Sequence, residues 1–124
     1  MKRVVVVDDE PVLLNLWSSL LVEEGYAVQA CQDARQCPDL VRQYRPDLLI
    51  LDLHVPTVHH AETVIQAIRS DSAVAATPII LCTADTETVQ RRRDWLRRYR
   101  IGYLPKPFDV DQALETVAQA IEAS

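Results

Sequence analysis

The chain has 124 residues, 48% of them apolar and 25% charged, and a formal net charge of -5. This is the composition of one globular domain, residues 1–124, able to fold alone; it excludes a disordered chain and leaves no room for a second domain. The longest fully apolar runs, such as Val4 to Val7 and Leu48 to Leu51, fall far short of the roughly 20 residues of a membrane span, and Met1-Lys2-Arg3 leads into a strand-like run without a signal-peptide pattern, so a cytoplasmic protein is expected.

Residues 3 to 7 are a β-branched run that stops at Asp8-Asp9-Glu10, and Pro11 follows where a first helical turn tolerates it. Leu13, Leu16, Trp17, Leu20 and Leu21 then recur at helical spacing on a face expected to cover a sheet, and Gly25 stands where a left-handed cap would end the helix. Tyr26 to Cys31 suits a second strand. Leu40, Val41 and Tyr44 mark a second helix that Pro46 terminates. Pro38 belongs in its first turn, because deeper in the helix it would cost about 3 kcal/mol.

Leu48 to Leu51 ends in Asp52 and Ile79 to Cys82 ends in Thr83, two apolar strands with the Val64, Ile65 and Ile68 helix between them. Val89, Leu96 and Tyr99 give a fourth helix, Ile101 to Leu104 a fifth strand, and Val110, Leu114, Val117 and Ile121 a fifth helix with Asp109 as its cap. Strand and helix thus alternate five times. Continuously apolar strands are buried on both faces, so the fold is α/β, a parallel sheet between helices. In such open sheets the polar site forms beyond the carboxyl ends of the strands.

Every informative polar residue falls there: Asp8 and Asp9 after the first strand, Asp52 after the third, Thr83 after the fourth and Lys106 after the fifth. Carboxylates about 4 Å apart repel by about 4 kcal/mol per pair at an effective dielectric near 20. Lys106 supplies one compensating charge, and Mg²⁺, which takes carboxylate, water and phosphate oxygens, is the natural second. With both in place, Asp52 could attack an activated phosphorus in line to give an aspartyl phosphate.

The segments VVVVDDEP at 4 to 11, RPDLLILDLHVP at 45 to 56, IILCTAD at 79 to 85 and YLPKPF at 103 to 108 resemble, in order and spacing, the receiver domain of two-component response regulators, of the single-domain chemotaxis type. The resemblance covers essentially the whole chain. It implies a flavodoxin-like doubly wound (βα)5 sandwich with strand order 2-1-3-4-5. It implies Asp52 as phosphoacceptor, Asp8 and Asp9 as the acidic pair for Mg²⁺, Asp9 and Asp52 as direct ligands, and the His54 backbone carbonyl as a further ligand. Lys106 would contact the phosphoryl oxygens, Thr83 would hydrogen-bond one of them, and Tyr103 would be the aromatic switch residue. The Lys106-Pro107 bond is cis in the family. A sensor histidine kinase or phosphotransfer protein would donate the phosphoryl group, and the surface of the fourth helix, fifth strand and fifth helix would bind a downstream protein, the chain being a monomer or weak dimer.

The chain departs from the family after Asp52, where Leu53-His54-Val55-Pro56-Thr57-Val58-His59-His60 lacks the usual Met and carries His60 in place of a Gly. His54, His59 and His60 read first as solvent-exposed loop residues, with transition-metal binding or pH sensing as the other reading. Residues 91 to 100 hold six of the thirteen basic residues. On a helical wheel Val89, Trp95, Leu96 and Tyr99 share one arc and the arginines the rest, only Arg92 intruding on the apolar side. This is a solvated face, a dock for an acidic protein, or a nucleic-acid contact, the last disfavoured by the net negative charge. Cys31, Cys37 and Cys82, odd in number and without CxxC spacing, read as reduced core thiols.

A pseudo-receiver that signals without phosphate would not need Asp8, Asp9, Asp52, Thr83 and Lys106. A flavodoxin-like nucleotide-binding enzyme would want a glycine-rich loop after the first strand, whereas the chain has only Gly25 and Gly102 and acids where an anion would bind. As a receiver, the chain is expected to catalyse only its own modification and slow self-hydrolysis, not turnover of an external substrate. A DNA-binding or enzymatic output domain outside these residues is left open.

Overall fold

The computed structural model describes residues 1–52 and 58–123, with side chains from residue 61 onward in the second stretch. In chain order the elements are β1 (Arg3–Asp8), α1 (Pro11–Glu23), β2 (Ala27–Cys31), a 3-10 turn (Ala34–Gln36), α2 (Cys37–Tyr44), β3 (Leu48–Asp52), α3 (Val58–Arg69), β4 (Ile79–Thr83), α4 (Thr86–Arg91), α5 (Arg93–Arg98), β5 (Ile101–Pro105) and α6 (Val110–Glu122). The strands form one parallel sheet in the order β2-β1-β3-β4-β5, as the resemblance implies.

Strand side chains alternate between faces, and here the alternation divides the core in two. Val5, Val7, Leu49, Leu51, Ile79 and Leu81 pack with Val41 of α2, Ile65 and Ile68 of α3 and Leu96 of α5. Their even-numbered neighbours Val4, Val6, Leu48, Ile50, Ile80 and Cys82 pack with Leu14, Trp17 and Leu21 of α1 and Ala113, Val117 and Ile121 of α6. β1, β3 and β4 are buried on both sides, the physical reason their sequences are unbroken apolar runs.

The punctuation residues act as expected. Pro11 and Pro38 sit in first helical turns. Gly25 adopts φ +92°, where a side chain would be strained. Asp109 accepts from Gln112 N–H at 2.8 Å while the Gln112 side chain accepts from Asp109 N–H at 3.0 Å, a complete capping box.

Two expectations need correction. The buried stripe of α1 is Leu14, Trp17 and Leu21, whereas Leu16 is 55% exposed and Leu13 and Leu20 are half-buried. This helix is apolar around most of its circumference, so spacing alone selects the wrong arc. The fourth predicted helix is two short ones, α4 and α5, kinked at Arg92 (φ -100°, ψ 14°). Arg92 N–H still donates to Thr88 O and Leu96 N–H to Arg92 O, both at 2.9 Å, so the hydrogen-bond ladder carries through the kink. Arg92 belongs on the inner side because its Nε meets Glu62 Oε1 of α3 at 2.6 Å and its guanidinium lies 5.5 Å from the Trp95 ring centroid.

Arg69, at the end of α3, has a role that periodicity did not signal. Its guanidinium donates to the carbonyls of Tyr99 (2.9 Å), Ala75 (3.0 Å), Thr77 (2.6 Å) and Arg100 (3.5 Å), bracing the α3–β4 connection against the start of β5. Arg100, itself left-handed at φ +57°, adds a bond to Ala75 O at 3.2 Å.

Candidate functional site at the carboxyl edge of the sheet

The register of β1 and β3 sets Asp8 directly beside Asp52 at the carboxyl ends of neighbouring strands. Both are buried, at 0% and 2% exposure. Both have the even parity of the α1/α6 face. Asp8 Oδ1 accepts from Glu10 N–H at 2.9 Å, while Asp9 is exposed at the rim.

Asp52 is held from two sides. One oxygen, Oδ1, forms an ion pair with Lys106 Nζ, a charge contact without hydrogen-bond directionality. The other, Oδ2, accepts from the indole Nε1–H of Trp17 at 2.7 Å. Lys106 follows β5, its peptide bond to Pro107 is cis as the family resemblance implies, and its side chain is 20% exposed. Phe108, two residues on, meets the Trp17 ring with centroids 5.6 Å apart.

Thr83 and Tyr103 have the opposite parity and stand on the α4–α5 side. Thr83 is buried; its Oγ1 accepts from Asp85 N–H at 3.1 Å, and its carbonyl accepts from Lys106 N–H at 3.0 Å and from Tyr103 Oη–H at 3.4 Å. Tyr103 is half-buried, and burial, aided by the negative charge of Asp85, raises its phenol above the usual value. Asp85 caps α4: its Oδ2 accepts from Thr88 Oγ1–H at 2.7 Å and its Oδ1 from Thr88 N–H at 3.1 Å, which holds its carboxyl below the usual range.

The cysteines are free and buried. Burial, reinforced by Asp52, pushes the Cys82 thiol well up, so a group next to the site stays a protonated thiol and offers no nucleophile. Of the predicted site residues, Asp8, Asp52 and Lys106 are brought together, Thr83 and Tyr103 are joined through the Thr83 carbonyl, and Asp9 is exposed. His54 lies outside the described residues, as do the side chains of His59 and His60.

Two adjacent buried acids facing one lysine form an all-oxygen, net-negative donor set, which suits a hard divalent cation such as Mg²⁺. Among the described residues no three His, Cys, Asp or Glu side chains already stand in metal-holding geometry, in keeping with the commitment of both Asp52 oxygens to Lys106 and Trp17. Trp17 is the site residue that helical periodicity hid: its ring reads as core. The available signal is that a buried indole N–H demands an acceptor, and at this end of the fold the acceptors are aspartates.

An open groove of about 470 Å³ runs from Asp52 between α1 and the segment after β5, lined by Leu13, Leu16, Leu20, Ala84 and Phe108 among others. Among the described residues no helix is long and apolar enough to cross a membrane.

The model of the response regulator receiver domain matches residues 4–118. The chain is 36% identical over 120 residues to the DNA-binding dual master transcriptional regulator RpaA of Synechocystis sp., covering 94% of this chain and 48% of that protein, so it spans about half the length of that relative. It superposes on the chemotaxis response regulator CheY4 of Vibrio cholerae with a TM-score of 0.83 and 27% identity, covering 97% of this chain and 98% of that one. The receiver domain of the sensor histidine kinase PA1611 from Pseudomonas aeruginosa, described with magnesium coordinated in its active-site cleft, shares the fold at a TM-score of 0.81 and 24% identity over 98% of both chains. With the acid pair, the lysine and the strand order in place, the chain belongs to the response regulator receiver domain family.

Proposed function

We propose that residues 1–124 act as one phosphoacceptor unit of a two-component relay, in which Asp52 takes a phosphoryl group from a sensor histidine kinase or a histidine phosphotransfer protein. The observation that carries this reading is the buried Asp52 carboxylate at the end of the central strand, abreast of Asp8 and paired with Lys106. An Asp52 oxygen attacks phosphorus in line, and the donor's imidazole departs with the electrons of the breaking P–N bond. Lys106 moves its charge from the carboxylate to the phosphoryl oxygens, a displacement of its ammonium alone.

Asp8, Asp9 and Asp52, with the His54 carbonyl, would hold Mg²⁺, which when bound spreads the charge of the transferring group. The modified Asp52 carries about -1.5 to -2 charge and three acceptor oxygens. The Thr83 hydroxyl turns to donate to one of them, and Tyr103, tied to the Thr83 carbonyl, transmits the change to the surface of α4, α5, β5 and α6, where a downstream protein binds. The domain signals rather than turning over an external substrate, acts in the cytoplasm, and is a monomer or weak dimer. DNA binding is named for a relative about twice this length. For this domain, with its net charge of -5, we assign protein partners.

Intact mass after incubation with acetyl phosphate and Mg²⁺ tests the reading. A single phosphoryl gain, abolished in Asp52→Asn and by chelation, supports it. No adduct in the wild type, with beryllofluoride leaving Thr83 and Tyr103 unperturbed, would assign the chain to phosphate-independent interaction instead.

A further inference from the structure

The indole of Trp17 is almost fully buried, at 4% exposure, and spends its one polar atom on Asp52. The contact is direct, 2.7 Å from Nε1 to Oδ2, with Lys106 on the other oxygen of the same carboxylate. Phe108 packs against the ring from the segment that carries Lys106. The lysine and the indole therefore grip the two oxygens of one carboxylate, and Phe108 links the two grips mechanically.

These holds differ in what they favour. A donor to a carboxylate oxygen gains most when the oxygen carries a full share of negative charge, and hydrogen bonds to ionised groups are about twice as strong as neutral ones. Conversion of Asp52 to an acyl phosphate removes that charge from the acyl oxygens, and a cation held by the carboxylate would draw on the same electrons. The lysine can follow the charge onto the phosphoryl oxygens. The indole cannot, because its rigid ring is fixed on α1 among core side chains.

We propose that Trp17 is a positioning residue that latches Asp52 in its unmodified form, so that the indole N–H must release Oδ2 when the carboxylate binds a divalent cation or is phosphorylated. By stabilising the carboxylate over both products, the latch lowers cation affinity and slows phosphorylation. This rests on Asp52 being the phosphoacceptor, but the hydrogen bond itself is testable without phosphorylation.

The experiment follows the two indole N–H resonances of ¹⁵N-labelled protein, the one lost in Trp17→Phe belonging to Trp17. Its proton is expected far downfield and slow to exchange, moving upfield in Asp52→Asn, and again on adding Mg²⁺ and then beryllofluoride to the wild type. Trp17→Phe, which keeps an aromatic ring but no donor, should bind Mg²⁺ about tenfold more tightly and form the acetyl phosphate adduct about tenfold faster, the scale of one charge-assisted hydrogen bond. A Trp17 resonance indifferent to Asp52→Asn overturns the latch even if Trp17→Phe fails to fold, and so does unchanged or weaker Mg²⁺ binding by a folded Trp17→Phe. A resonance that moves in Asp52→Asn while the wild type gains no phosphoryl mass would keep the contact and remove the phosphoacceptor reading instead.

Discussion

The two faces of the sheet carry different halves of the site. On the α1/α6 side lie Asp8 and Asp52, packed beneath a largely apolar helix whose Trp17 N–H reaches Asp52. On the α4–α5 side lie Thr83 and Tyr103, under a kinked helix whose outer surface is rich in arginine. The division follows from strand parity: Asp8 and Asp52 are even-numbered like the residues facing α1, and Thr83 and Tyr103 are odd-numbered like those facing α3 and α5. Under the proposed function, the acceptor carboxylate thus falls on one face of the sheet, and the hydroxyl and phenol proposed to sense it fall on the other.

If the faces are separate cores sharing one sheet, truncations on opposite sides should add. Ile65→Ala in α3 and Ile121→Ala in α6 should each cost about 2–5 kcal/mol, and the double variant their sum within about 0.5 kcal/mol, as read by urea unfolding. A coupling well above that would show that the sheet transmits packing between the halves. Next in size, Arg69→Ala should cost about 3 kcal/mol, since a charged donor to several carbonyls is lost, and should loosen the β4–β5 side before the α1 side in hydrogen exchange.

The buried thiols give a pH test spanning both faces, Cys37 in one core and Cys82 in the other. Burial pushes Cys37 up to about 12 and Cys82 well above its ordinary 9.0. The folded state therefore keeps protons that the unfolded chain releases above about pH 9. By linkage this stabilisation is complete below that pH and is lost as pH rises through the folded values. Thermal unfolding between pH 8 and 11 should show the decline, with Cys37→Ala flattening it.

Smaller still, Glu62→Gln removes the partly exposed partner of Arg92 and should cost about 0.5–1 kcal/mol, with the Trp95 environment changing in near-ultraviolet circular dichroism. Asp85 gives the least. Its carboxyl is held down by Thr88, so it supports α4 above the ordinary aspartate value of 3.8 and loses that support as pH falls through its lower folded value. Acid titration of the α4 amides should follow that order, and Asp85→Asn should abolish the response.

Much of this organisation was readable before any coordinates. Apolar runs ending in Asp8, Asp52 and Thr83 mark buried parallel strands because only such strands are apolar on both faces. Pro11, Pro38, Gly25 and Asp109 mark boundaries because their backbone or capping chemistry is local. What escaped depends on partners distant in sequence. Trp17 looked like packing because its ring is packing, and only its N–H serves the site. Arg92 looked like an intrusion until Glu62, thirty residues earlier, came to meet it. Arg69 gave no signal, since its acceptors are backbone carbonyls, which no side-chain pattern records.

That last choice of acceptor bears on acid tolerance. The Arg92–Glu62 pair and the Arg42–Asp71 pair at 3.3 Å each lose their anion when the carboxylates take up protons. The brace at Arg69 has no such partner to lose, because a carbonyl oxygen keeps its lone pairs and an arginine its charge across the whole pH range at which proteins are handled. Those pairs depend on an ionised carboxylate, while the tie between the α3–β4 connection and β5 does not. The last tertiary contacts to survive in an acid-expanded form of this protein should be those around Tyr99, Arg100 and Thr77.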